Sequence, residues 1–330
     1  MSDRPLITFS LAAYNQEAYI REAVEGAFKQ TYTPLEIILS DDGSKDRTFE
    51  IMQEMVAAYT GPHTVILNRN EPNLGIIAHV NKLFTMAHGE LFVGAAGDDV
   101  STANRVETVV DAWLKHGRKP RMIASSYEEI DVTGRTLRRV MLKSGIDTRS
   151  DADFFEDLPL PYIGAVNAYS PDLAPLFGPV LAGSVDDHIF VGRARFMGDV
   201  LSLPDVLVKY RVGCGMSTNK TDFFRMMLRS YHGAYHSAVQ LMQELQIAGN
   251  YMSEARRLEL EQVLLAKQNK LQNVIGMWSA DAFARRFGCF VRLGHIRLLR
   301  KPKSFLVAVL TLLPQPVSSV VINALVRLNR

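Results

Sequence analysis

Cysteine is nearly absent from this chain, 2 of 330 residues. Cys214 and Cys289 stand far apart, which excludes a disulfide framework and a thiolate-rich metal centre and points to a reducing compartment. The start, MSDRP, has no basic segment followed by an apolar run and a cleavage site, so no secretion signal is expected. Internal repeats and low-complexity tracts are lacking, which argues against a solenoid or a disordered array. Net charge is only +2, and no nucleic-acid partner is expected from it. What is plentiful is apolar residue: 47% of the chain, ample for one large or two modest packed domains.

The small net charge hides an asymmetry. Residues 281–330 hold nine Arg or Lys against the single acid Asp281, a sum of +8, and subtracting this from +2 leaves the first 280 residues at −6. Within that tail, residues 282–303 mix aromatic and aliphatic residues with seven Arg or Lys, the composition of a basic amphipathic helix at an anionic membrane surface. The next 22 residues, 305–326, carry no charge, but Pro314 and Pro316 interrupt them, which fits short helices dipping into one leaflet better than a clean span. An ordinary helical subdomain or a homo-oligomer interface would bury the same surface.

The first half alternates short β-type runs with amphipathic helical ones, the pattern of a sheet covered by helices on both faces. Strands are expected at 6–13, 35–40, 64–68 and 91–95, and helices at 17–30, after Asp46, and at 76–87 and 101–113. Beyond these, 121–130 reads as a strand, 159–179 as a Pro/Gly-rich substrate-facing loop and 222–279 as mostly helical. Two strands end in acids, Asp41-Asp42-Gly43-Ser44 and Gly97-Asp98-Asp99. Parallel α/β sheets bind ligands beyond the carboxyl ends of their strands, so these acids converge on one edge. Either string alone is equally an ordinary turn or helix cap. Together they suit a sugar nucleotide, whose base and ribose donate hydrogen bonds to carboxylates and whose diphosphate is neutralised by Mg²⁺ or Mn²⁺.

The stretch FSLAAYNQEAYIREAVEGAFKQTYTPLEIILSDDGSKDRT, followed by NEPNLGIIAHVNKLFTMAHGELFVGAAGDDVSTANRVE, resembles the donor-binding half of the family 2 glycosyltransferases. The resemblance implies the GT-A fold, a Rossmann-like nucleotide-binding sheet with helices on both faces; the last hundred or so residues lie outside it, and their composition adds a mainly helical, membrane-associating C-terminal region. The resemblance also implies that Ala12, Tyr14, Asn15 and Glu17 line the nucleotide pocket, that Asp41 accepts from the base, that Asp98 touches ribose or metal, and that Asp99 binds the metal. Family members commonly carry an acid two residues before Asp98, where this chain has Ala96. The run GSVDDHIFVGRARFMGDVLSLPDVLVKYRVG resembles the acceptor side, making Asp187 the general base with Asp186 beside it. Arg211 would take diphosphate charge, Gly213 standing where many members have a histidine. Without the resemblance, Asp186 and Asp187 read as acids favoured by a helix N-terminus.

These expectations amount to a donor-binding half over 1–115, an acceptor-binding half over 116–220 and a helical region over 221–330. The function they imply is an inverting, non-processive transfer from a UDP- or dTDP-sugar to a glycan or lipid-linked acceptor. The enzyme would be cytoplasmic and peripherally attached to the inner face of the cell membrane. A sugar-phosphate nucleotidyltransferase would want a Gly-rich basic loop after the first strand, and Ala12-Ala13-Tyr14-Asn15-Gln16-Glu17 is neither. A non-catalytic nucleotide-sugar-binding protein is the remaining alternative.

Overall fold

The computed structural model describes residues 4–156, 162–214 and 223–279. The expected basic tail at 282–326 lies outside the described residues. The donor-side elements are β1 (Ile7–Ala13), α1 (Ile20–Phe28), β2 (Leu35–Asp41), α2 (Thr48–Ala57), β3 (Thr64–Arg69), α3 (Ile76–Met86), β4 (Leu91–Ala96), β5 (Val100–Ser101) and α4 (Arg105–Lys115). There follow β6 (Pro120–Ile130), β7 (Thr136–Val140), β8 (Gly145–Ile146), α5 (Asp151–Glu156), a 3₁₀ turn (Gly164–Val166), β9 (Asn167–Tyr169), α6 (Leu173–Phe177), α7 (Asp186–Met197) and β10 (Asp199–Arg211). Two long helices, α8 (Phe223–Ala248) and α9 (Glu254–Ser279), complete the described chain.

One sheet runs in the order β3-β2-β1-β4-β9-β6-β10-β5. β1 to β4 are parallel, while β9 lies antiparallel between β4 and β6. Alternation sorts the side chains into two layers. Ile7, Phe9 and Leu11 of β1, Ile37 and Leu39 of β2, and Leu91 and Val93 of β4 face α1, α2 and α4. On the other face Ile38 and Phe92 meet α3, α7 and the α8–α9 pair. There β1 offers only Thr8, Ser10 and Ala12, small residues that leave room beneath α3.

Local chemistry sets the helix starts. Asp46 Oδ1 accepts from the Thr48 amide at 3.0 Å and from its hydroxyl, opening α2 two residues later. The chain enters α3 through Gly75, whose φ of 78° is open to glycine at little cost. The loop expected over 159–179 contains β9, whose three residues are too short to show a period. Its neighbours on both sides supply the pairing. Among the described residues no helix is long and apolar enough to cross a membrane.

Candidate active site

A cavity of about 350 Å³ opens at the carboxyl ends of β1 and β4. α3 lines it through Ile76, His79, Val80 and Leu83, and α7 through Asp186, Asp187 and Phe190. Of the residues expected at the nucleotide, Ala12, Tyr14, Asp98 and Arg211 line it, as does the expected metal ligand Asp99. The expected base Asp187 lines it too, so acids from two distant stretches of sequence meet in one space.

Three expected residues lie elsewhere. Asp41 is fully buried, accepting from the Ser44 amide at 2.9 Å and the Ser44 hydroxyl, with Arg69 at 3.7 Å. It closes the turn after β2, and the neighbouring acid on the cavity wall is Asp42. Parity explains the exchange. Ser40 and Asp42 share the sheet face that carries Ser10 and Ala12, whereas Asp41 shares that of Ile37 and Leu39. Asp42 accepts from Asn70 at 2.9 Å and from the Leu74 and Gly75 amides, fixing the entry to α3. Asn15 and Glu17 likewise turn from the cavity: the Asn15 side chain accepts from the Lys45 amide at 2.9 Å and Glu17 from the Arg47 amide at 2.9 Å, stitching the post-β1 loop to the post-β2 turn. Gln16, between them, lines the cavity.

Arg211 is also committed. Its Nε donates to the Asp98 carbonyl at 3.0 Å, one terminal nitrogen donates to the Asp131 carbonyl at 3.2 Å, and the other donates to Glu22 at 2.8 Å. Its backbone amide donates to Asp99 Oδ1 at 2.7 Å. Arg211 thus ties β10 to the acid-bearing loop, each of its three side-chain nitrogens donating to protein.

The acids differ in how well they are satisfied. Asp99 Oδ2 is buried with no partner, and the Asp98 carboxylate has the Cys214 thiol at 3.6 Å. Burial pushes Asp99 well above the usual carboxylate range and the Asp98 charge adds to this, against Arg211 and the buried Arg105 behind it. Burial also raises Asp98 itself, and lifts the Cys214 thiol to about 11. A buried carboxylate oxygen without a donor is what a divalent cation would complete. Among the described residues no three His, Cys, Asp or Glu side chains gather into a cage. Across the cavity, burial and the neighbouring Asp186 hold Asp187 well above the carboxylate range. His188 has a buried, unpartnered Nδ1 and is held down at about 4 by burial, with Lys267 adding to the effect.

Residues 9–157 match the family model described as glycosyl transferase family 2. EpsE of Bacillus subtilis, provisionally assigned as a glycosyltransferase, is 28% identical over 149 residues, covering 44% of this chain and 52% of that protein. An uncharacterised glycosyltransferase of Rickettsia felis is 32% identical over 136 residues, covering 41% of this chain and 22% of that one. The chain thus spans at most about half the length of these relatives. Among solved structures, residues 1–349 of S. aureus TarS in complex with UDP-GlcNAc superpose with a TM-score of 0.62 at 17% identity, over 90% of this chain and 82% of that one. The mannosyltransferase PcManGT of Pyrobaculum calidifontis, in complex with GDP-Man and Mn²⁺, gives a TM-score of 0.55 at 16% identity, over 98% and 88%. At such identities the likeness establishes the fold. Over residues 9–157 the chain therefore carries a glycosyl transferase family 2 domain, built on the GT-A fold.

Proposed function

We propose that the protein is an inverting glycosyltransferase that moves a sugar from a UDP- or dTDP-linked donor to a hydroxyl of a glycan or lipid-linked acceptor. The observation that carries this reading is the meeting of Asp98 and Asp99 with Asp187 in one cavity. Residues 1–115 hold the donor: Ala12, Tyr14 and Gln16 flank the nucleotide, Asp42 accepts from the base, and Asp98 stands nearest the ribose. Asp99, with Asp98, would hold Mg²⁺ or Mn²⁺, which supplies positive charge to the leaving diphosphate. Residues 116–220 hold the acceptor, whose hydroxyl oxygen attacks the anomeric carbon from the face opposite the diphosphate. Asp187 takes the proton from that hydroxyl as the new C–O bond forms and the bond to the diphosphate breaks. A carboxylate raised toward neutral pH is a stronger base than an exposed one, which suits the task.

The tail at 282–326 would attach the enzyme peripherally to the cytoplasmic face of the membrane. Cell fractionation of a chain truncated near residue 280 checks this, with loss from the membrane pellet expected. The reaction itself is tested by release of nucleoside diphosphate from UDP-, dTDP- and GDP-hexoses with Mn²⁺. Asp187→Asn should lower turnover about 10³-fold and leave donor binding within a factor of about two. Undiminished turnover would remove Asp187 as the base.

A further inference from the structure

The carboxylate of Asp187 lies against the backbone of Gly164, in the 3₁₀ turn before β9, whose amide favours the charged form. The approach is close: a methyl group on Gly164 would overlap Asp187 Oδ1. The Gly164 φ lies outside the left-handed region, so alanine fits the backbone there and the absent side chain is needed for contact alone. The same turn abuts β4 from the other side, where a Cβ on Gly94 would stand 3.0 Å from the Gly164 carbonyl oxygen. Two glycines therefore wedge the turn between β4, which runs on to Asp98 and Asp99, and the first turn of α7. Gly94, Gly164 and Asp187 all line the cavity.

We propose that Gly164 is the positioning residue of the base, its backbone seating the Asp187 carboxylate by close approach and its lack of a side chain letting the donor-bearing strand and the base-bearing helix stand at their working separation. This rests on the reading of Asp187 as base. A carboxylate displaced by about 1 Å from the line of proton transfer loses rate rather than donor affinity, on the order of 100-fold.

Gly164→Ala, Asp187→Asn and the double variant are compared by Mn²⁺-dependent hydrolysis of the best-turned-over nucleotide sugar, with donor KM and thermal unfolding read alongside. Gly164→Ala should lower kcat about 100-fold with donor KM within twofold. Asp187→Asn should remove most of what remains, and the double variant should be no slower than Asp187→Asn alone, because both changes strike one group. The acid limb of the Gly164→Ala pH–rate profile should move upward, since the lost amide favours the charged carboxylate. The other ionisable groups bearing on Asp187 are Asp186 of α7, Tyr169 of β9 and Tyr210 of β10, none of which the substitution alters. Multiplying losses in the double variant, a raised donor KM or an unmoved acid limb would overturn the proposal. If Gly164→Ala does not fold, Gly94→Ala is read in the same way, and an unmoved acid limb there overturns it. Full turnover in Asp187→Asn instead defeats the assignment of the base, whatever Gly164→Ala does.

Discussion

In the parallel half of the sheet, Asp41, Asp42 and Asp46 each accept two or more hydrogen bonds from the protein. Burial would raise Asp46, yet donors from Thr48 and Glu17 outweigh it and hold the group below its usual value. At the start of α7, by contrast, Asp187 has the Gly164 amide and a like-charged neighbour, and burial carries it upward. Asp99 belongs with Asp187 in this respect, having one bare oxygen. Acids well supplied with protein donors build the loops that shape the cavity, and Asp42, with three donors, keeps an acceptor site on Oδ2. Asp99 and Asp187 are left short of donors, as a site for a cation or a proton requires.

The largest expected effect outside the chemistry lies in the second region. Arg193 and Glu244 are buried and joined by two hydrogen bonds, at 3.0 and 2.6 Å, clamping α7 to α8. Glu244→Ala leaves the guanidinium buried without its partner and should cost about 3 to 5 kcal/mol in urea unfolding. A loss under about 1 kcal/mol would mean that α8 does not brace the helix bearing Asp187.

The next sharpens the contrast inside the donor half. Asp42→Asn should weaken UDP binding about tenfold, as for one charged hydrogen bond. Asp41→Asn should instead lower stability by about 1 to 3 kcal/mol and leave UDP affinity within threefold. Calorimetry on both variants decides, and a greater affinity loss from Asp41→Asn would return base recognition to Asp41.

A smaller effect concerns pH. His188 titrates near 4 when folded and near 6.5 when unfolded, so the folded state binds fewer protons between these values. Its contribution is intact above about pH 6.5 and is lost as pH falls toward 4. Wild type should therefore lose about 1 to 2 kcal/mol more than His188→Asn between pH 7 and pH 5. Equal losses in urea titrations at the two pH values would show that His188 is solvated.

The sequence made the donor half legible because its strands are long, apolar and separated by helices of clear period. β1 to β4 start and end within a residue or two of the expected positions. Asp98 and Asp99 were readable for the same reason, standing just past β4. That Asp42 rather than Asp41 lines the cavity needed the strand's parity carried one residue beyond its end, and the motif alone does not supply it. In the second half the informative contacts are between residues far apart in sequence. Gly94, Gly164 and Asp187 meet only once β9 is inserted between β4 and β6, and three residues in a Pro/Gly-rich run give no periodic signal. Arg211 illustrates a different limit: the resemblance implied a phosphate role, and the carbonyls and Glu22 that it meets come together only in the fold.

The proposed bridging of Asp99 and a nucleotide's diphosphate by a divalent cation is measured most directly by titrating UDP into wild type and Asp99→Asn, each with and without Mn²⁺. Wild type should bind UDP more tightly when Mn²⁺ is present, and Asp99→Asn should bind it weakly and equally in both conditions. An undiminished Mn²⁺ effect in Asp99→Asn, or none in wild type, would contradict the assignment.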